Sequence, residues 1–384
     1  LKARSVFIFF CCLLLAGGCS SKKESLKVGA VFALTGPAAM LGAPEGKTAE
    51  MMVERINEAG GIKGRSLEVI FYDTGGESTK TLTAVKKLVE KDGVLAIIGP
   101  TTSGTSLAVA DFANDAGVTL ISCASSYKIV NPLREYVFKV THSDDLIVRR
   151  IFEAMKKKGI SKVAVLTASD GFGDSGREML ELHAGEFGIR IMSKERFGPG
   201  DTDMTTQLTR IKGTDAQALI CWGTNPGPAI IAKNMRQLGM TMPVYNSHGV
   251  ASKKFIELAG EAAEGILLPV GKIVVADQIP DADPQKEVLV EYRDAYEKEY
   301  NEPVSTFGGH AWDAMLLVTS ALEELIEEEE KVTRESLKDR IEATRGLAGV
   351  AGIYTFSDTD HNGLNSDGLV MVEVKNGDWS LASQ

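Results

Sequence analysis

Cysteine, tryptophan and histidine are scarce in this chain, and positive charge is outnumbered. Five histidines, at 142, 183, 248, 310 and 361 of 384 residues, include no pair four apart and no His-Glu-x-x-His. That scatter argues against a zinc centre. Lys and Arg number 42 against 52 Asp and Glu, a formal net charge of −10. The one basic run, Lys156-Lys157-Lys158, reads as the solvated end of a helix, where cations are favoured. Nucleic acid is therefore not an expected partner, since phosphate contacts need clustered Lys and Arg. Internal repeats and low-complexity tracts are missing. Beyond the N-terminus no apolar run is long enough to span a bilayer.

What is present is a foldable core: 44% of residues are hydrophobic and 24% charged, enough chain for two or three domains. At the N-terminus, Lys2 and Arg4 precede an apolar run from Val6 to Ala16, then Gly17, Gly18 and Cys19. This is a signal-peptide pattern, expected over residues 1–18. The cysteine after Ala16-Gly17-Gly18 resembles a bacterial lipobox, with Ala16 where leucine is usual. Cys19 is the expected lipidation site, opening a polar tether over 19–25, and the location is periplasmic or cell-surface.

From Lys27 onward short apolar runs alternate with amphipathic helices, the pattern of βαβ units on parallel sheets. Expected strands are Val28–Leu34, Leu67–Tyr72, Val94–Ile98 and Val118–Ile121, with helices from Pro44, Thr79 and Thr105. The alternation restarts after Leu146, giving two doubly wound α/β lobes. Long helices follow at Lys286–Tyr300, Gly309–Glu330 and Thr333–Thr344, and a strand pair, Gly352–Phe356 with Leu369–Val374, closes the chain.

Several motifs suggest chemistry and fall short. Gly42-Ala-Pro-Glu-Gly46-Lys47-Thr48 has three residues between its glycines, where a phosphate-binding loop needs four. Asp358-Thr-Asp360-His-Asn362-Gly363 matches half of a calcium loop but offers Leu369 at the twelfth position, so a connector turn is the reading. Ser125-Ser126-Tyr127-Lys128 contains Ser-x-x-Lys without its companion motifs. No nucleophile elbow is visible. Neither enzyme nor cofactor is expected. What remains is a set of hydroxyl-rich loops at strand ends: Gly99–Gly104 and Ser122–Ser126. In open α/β sheets ligands sit there, and helix N-termini suit a carboxylate. Ordinary helix capping accounts for either loop alone.

The whole stretch from about Leu26 resembles the periplasmic leucine/isoleucine/valine-binding proteins, the type I solute-binding components of ABC importers. The resemblance rests on Val28-Gly-Ala-Val-Phe-Ala-Leu-Thr-Gly-Pro37, Ile56-Asn-Glu-Ala-Gly-Gly-Ile-Lys-Gly64 and Ile97-Ile-Gly-Pro-Thr-Thr-Ser-Gly-Thr-Ser106. Asp170-Gly-Phe-Gly173, Gly249-Val-Ala251, Ala263-Glu-Gly265 and His310-Ala-Trp-Asp-Ala314 add to it. It implies two Rossmann-like lobes joined by a three-strand hinge, the type I periplasmic binding protein fold, closing on a small ligand as a monomer. Crossings are expected near Thr141–Asp145, Val270–Asp277 and Phe356–Asn365. Lobe 1 is then 26–143 with 275–356, and lobe 2 is 144–274 with 357–384. Cys123 and Cys221 fall in different lobes and are expected to remain thiols.

By the same resemblance, Thr102, Ser103 and Gly104 hold a ligand carboxylate. Ala124, Ser125 and Ser126 read a ligand amino group, Phe172 and Phe307 cover it, and Thr224 or Trp222 stands where a further aromatic is common. His248 takes the place of the usual acidic residue, and Leu41 that of an aromatic. Losing the acid argues against an α-amino acid, because a buried unpaired ammonium is costly. Asp170 or Asp313 is the alternative counter-ion. The ligand is thus an amino acid, branched-chain or other, or an amine-free aromatic or aliphatic carboxylate. The implied partners are an ABC permease and ATPase, or a receptor if the chain is a sensor.

Overall fold

The computed structural model describes residues 24–382; the expected signal peptide, Cys19 and most of the tether lie outside them. The first sheet contains β1 (Leu26–Phe32), β2 (Leu67–Asp73), β3 (Ala96–Ile98), β4 (Thr119–Ser122) and β5 (Val137–Lys139). All its pairings are parallel, in the order β2-β1-β3-β4-β5. The helices between them are α1 (Ala39–Glu58), α2 (Ser78–Lys87) and α3 (Ser103–Asp115). Central strands such as β1 and β4 are buried on both faces, which is why they read as continuous apolar runs and not as alternations.

The chain then crosses into α4 (Asp144–Lys157) and builds a second parallel set. Its elements are β6 (Lys162–Ala168), α5 (Gly171–His183), β7 (Arg190–Phe197), α6 (Thr205–Lys212), β8 (Ala218–Trp222), α7 (Gly227–Gln237), β9 (Val244–Asn246), α8 (Lys253–Ala259) and β10 (Leu267–Gly271). Helices α9 (Lys286–Tyr300), α10 (Thr306–Glu327) and α11 (Arg334–Glu342) return to the first lobe, where α10 packs along α1. Buried residues run without a break from Thr306 to Met315, so the start of α10 is enclosed on all sides.

The closing strand pair expected from the sequence is not formed. β12 (Ile353–Thr355) instead pairs with β11 (Arg345–Ala348), while β13 (Leu369–Lys375) pairs antiparallel with β10 and with β14 (Asp378–Leu381). The two halves of the supposed pair belong to different lobes, because the segment between β12 and β13 is itself a crossing. The second sheet therefore runs β14-β13-β10-β9-β8-β6-β7. Helix α1 also begins earlier than Pro44. The glycines of Gly42–Thr48 lie inside α1, where a Cβ on Gly42 would stand 2.3 Å from the Ala33 carbonyl oxygen. They permit a close helix–strand approach, not a phosphate loop.

The other rejected motifs resolve locally. Asp360 accepts the N–H groups of Asn362 and Gly363 in an Asx turn. Lys128 pairs with Glu178, away from Ser125. Lys156, Lys157 and Lys158 are exposed at the end of α4. Among the described residues no helix is long and apolar enough to cross a membrane, and Cys123 and Cys221 are buried free thiols.

Candidate ligand-binding cleft

The five parallel strands of each sheet share one order, which β13 and β14 extend in the second. In the first, the strand order reverses between β1 and β3; in the second, it reverses between β6 and β8. Ligands bind outside the carboxyl ends of strands at such points. Here the carboxyl ends of the two sheets face each other across a cavity of about 540 Å³. That volume lies within the ~300–1,000 Å³ usual for small-molecule pockets.

The loop after β3 supplies one wall. Thr102 caps α3: its Oγ1 accepts the Thr105 N–H at 3.3 Å, and Thr105 reciprocates toward the Thr102 N–H. The N–H groups of Ser103 and Gly104 have no intrahelical acceptor and both residues line the cavity. They are the positive end of the α3 dipole. Thr101 beneath them donates to the buried Glu45 carboxyl, which burial pushes well above its ordinary pKa.

The loop after β4 is already heavily committed to protein partners. The Ala124 carbonyl accepts the Thr141 hydroxyl at 2.5 Å, and the Ser125 carbonyl accepts the Lys139 ammonium at 2.7 Å. Ser125 Oγ meets His248 Nε2 of the opposite lobe at 2.5 Å. Ser126 Oγ meets Ser175 Oγ of α5 at 2.9 Å, while its N–H donates to Ser103 Oγ at 3.3 Å. Ser126 is fully buried and lies outside the cavity lining. The Ser125–His248 and Ser126–Ser175 bonds tie lobe 1 to lobe 2, so the molecule is closed. Gly171 and Gly104 confirm the close approach: a Cβ on Gly171 would lie 3.0 Å from the Gly104 Cα.

Lobe 2 contributes Phe172, Phe197, Thr224 and His248, and lobe 1 adds Leu41, Phe307 and His310. Trp222 is not in the wall. It is fully buried behind Phe172, ring centroids 5.5 Å apart, against the backbone of Gly176. Of the two proposed counter-ions, Asp313 is also excluded from the cavity. Its oxygens accept the N–H groups of Val350 at 2.6 Å and Ala351 at 2.8 Å and lie 2.8 Å from the Tyr354 hydroxyl. Burial nevertheless holds its pKa up at about 7. Asp170 does line the cavity, half-buried, with Oδ1 capping α5 through the Phe172 and Gly173 N–H groups.

Two features escaped the sequence. Lys139 is fully buried at the end of β5, and burial pushes its pKa down, while burial pushes that of Asp144 up. His310 reaches the cavity from the first turns of α10, where its position among apolar neighbours was the available signal. Burial first, and then neighbouring positive groups, hold His248 well below its ordinary pKa and His310 at about 3.

Residues 25–378 match the periplasmic binding protein family. The chain belongs to that family. A relative from Pseudomonas aeruginosa, the leucine-, isoleucine-, valine-, threonine-, and alanine-binding protein, is 24% identical over 83% of each chain. Leu/Ile/Val-binding protein homolog 3 of Brucella melitensis is 26% identical over 80% of this chain and 81% of its own. An extracellular ligand-binding receptor from Rhodopseudomonas palustris HaA2 superposes with a TM-score of 0.87 at 28% identity, covering 94% of this chain and all of that one. The branched-chain amino acid transporter substrate binding protein of Streptococcus pneumoniae, in complex with isoleucine, gives 0.82 at 28% identity over 92% and 97%. The fold is that of the type I periplasmic binding proteins, and the chain is a member of a family of binding proteins, not of enzymes.

Proposed function

We propose that this protein is the extracytoplasmic solute-binding component of an ABC importer and that its two lobes close on a small organic carboxylate. The observation that carries the reading is the pair of open N–H groups at Ser103 and Gly104, at the positive end of α3 inside a cavity walled by both lobes. A carboxylate there gains charge-assisted hydrogen bonds and a favourable dipole in a partly dry site. Thr102 holds the loop, Phe172 and Phe307 exclude water, and Thr224 borders the ligand. Closure is a shift toward a state in which the ligand touches both lobes. The N-terminal pattern supports anchoring through Cys19 and presentation to a permease and its ATPase.

The ligand is an amine-free carboxylate. An ammonium group would find no negative charge at His248, which burial keeps neutral, and only the second lone pair of the Ala124 carbonyl, whose first accepts Thr141. An α-amino acid is the second reading, favoured by the names of the relatives and by the Asp170 carboxylate at the cavity wall. A thermal-shift panel on refolded, ligand-free protein separates the two. It sets aromatic and aliphatic acids against leucine, isoleucine, valine, phenylalanine and alanine. A ligand at a hundred times its Kd adds about 2.7 kcal/mol of stability, a shift of several degrees. A shift with the acids alone supports the first reading; a shift with the amino acids alone overturns it in favour of the second.

A further inference from the structure

Ser125-Ser126-Tyr127-Lys128 has no catalytic companions, yet all four of its side chains reach lobe 2. Ser125 Oγ meets His248, and Ser126 Oγ meets Ser175. The Tyr127 hydroxyl donates to Glu178 Oε1 at 2.5 Å, and the Lys128 ammonium pairs with Glu178 Oε2. Ser175 and Glu178 stand three residues apart on α5, which puts them on one face of that helix. The last three side chains of the segment thus grip a single helix face. Ser126 does so from a buried position, Tyr127 and Lys128 from the partly exposed rim.

The rim contact differs from the inner bonds. Tyr127, Lys128 and Glu178 all lie outside the lining of the ligand cavity. Its base on lobe 1 is fixed: Ser126 Oγ accepts the Lys128 N–H at 3.3 Å, and the Arg134 guanidinium donates to the Lys128 and Ile129 carbonyls at 3.2 and 3.1 Å. The Lys128 ammonium also lies 5.7 Å from the centre of the Tyr127 ring, within cation–π range. Glu178 has no hydrogen bond or ion pair to another lobe 2 side chain among the described residues. Its neighbours Arg177 and Glu181 pair with each other. The carboxylate bonds of Glu178 therefore exist only while the lobes are together. Hydrogen bonds from Lys128, and then Tyr127, hold its pKa below the ordinary value, so the group is charged at neutral pH.

We propose that Tyr127, Lys128 and Glu178 form a ligand-independent clasp that draws the lobes together before a ligand arrives and so eases closure on any ligand. A contact made only in the closed form raises the closed fraction. Apparent affinity rises with the fraction of molecules already competent to bind. Because the clasp touches no ligand, the gain is one factor common to every ligand, and selectivity stays with the cavity wall. The Lys128 and Glu178 side chains are 44% and 46% exposed, so their ion pair is weak and screened by salt. That weakness suits a binding protein, which must open again to release what it holds.

The test is small-angle scattering of the refolded, ligand-free protein at low and at high salt. Lys128→Glu, which faces Glu178 with a like charge, should scatter at low salt as a more open molecule than the parent. Lys128→Glu combined with Glu178→Lys restores the opposite charges and should regain the compact form. High salt should bring the three proteins together. Calorimetric titration with benzoate and with L-leucine adds a second readout. Whichever of them binds the parent should bind Lys128→Glu about 2- to 10-fold more weakly, by the same factor for both, with recovery in the double variant. Identical low-salt scattering of the parent and Lys128→Glu overturns the clasp. So does a double variant that stays open, or a loss of affinity that differs between benzoate and L-leucine. None of these outcomes bears on the carboxylate reading, which the clasp does not use.

Discussion

Ser125 Oγ of lobe 1 and His248 Nε2 of lobe 2 lie 2.5 Å apart, buried beside the ligand cavity. The bond exists only when the lobes are closed, so it contributes to the closed state and nothing to the open one. Ser125→Ala removes it with little change in volume. Ligand affinity is expected to fall by about 0.5–1.5 kcal/mol, the net worth of one such bond. Titration calorimetry reads the change, and small-angle scattering reads the open-to-closed balance. Unchanged affinity would mean that the bond does not help closure.

Gly104 tests the carboxylate site with little cost to folding. A Cβ placed on it meets no atom within 4 Å, and the residue lines the cavity. Gly104→Val puts that side chain where the carboxylate is proposed to sit. Binding should be lost while unfolding stability stays within about 0.5 kcal/mol of the parent. Chemical denaturation and the ligand panel together check both halves.

The histidines give a pH dependence whose sign follows from their direction. His310 is depressed from 6.5 to about 3 by burial, so between those values the unfolded chain binds a proton that the folded one does not. Its stabilising contribution is present above pH 6.5 and is lost as pH falls toward 3. Asp313 acts oppositely: raised from 3.8 to about 7, its contribution is present below pH 3.8 and lost as pH rises through 7. His310→Gln should therefore reduce the acid-side slope of stability by up to about 1.4 kcal/mol per pH unit. Denaturant midpoints from pH 3.5 to 7 for both proteins provide the comparison. Parallel slopes would contradict the assignment.

Cys123 and Cys221 should resist alkylation in the native protein. Burial raises both thiols well above their ordinary pKa, so little thiolate is available. Mass spectrometry after iodoacetamide treatment at pH 8 should find both unmodified, and both modified once denaturant is added.

Much of the architecture was legible because the parallel strands are short apolar runs and their cleft-facing ends carry Gly, Ser and Thr. Thr102, Ser103 and Gly104 lie in a loop found in this way, Phe172 and Phe307 came from the family resemblance alone, and the structure brings all five to one cavity. β10 escaped notice because Pro269 interrupts its pattern, and Pro argues against a central strand. β11 and β14 are four residues each, too short for periodicity to register. Trp222 looked like a wall residue because only the side-chain packing of Phe172 over it decides otherwise. The nearness of His248 and His310 was invisible for another reason: they stand far apart in sequence, and only lobe closure brings both to one cavity. No local spacing encodes such a pair.

The central claim is that a carboxylate lies at the start of α3. A crystal structure with the tightest ligand from the panel tests it most directly. The account predicts carboxylate oxygens about 3 Å from the Ser103 and Gly104 nitrogens, with the rest of the ligand inside the cavity that Phe172 and Phe307 line. A ligand bound in the reverse orientation, or outside the cleft, would contradict it.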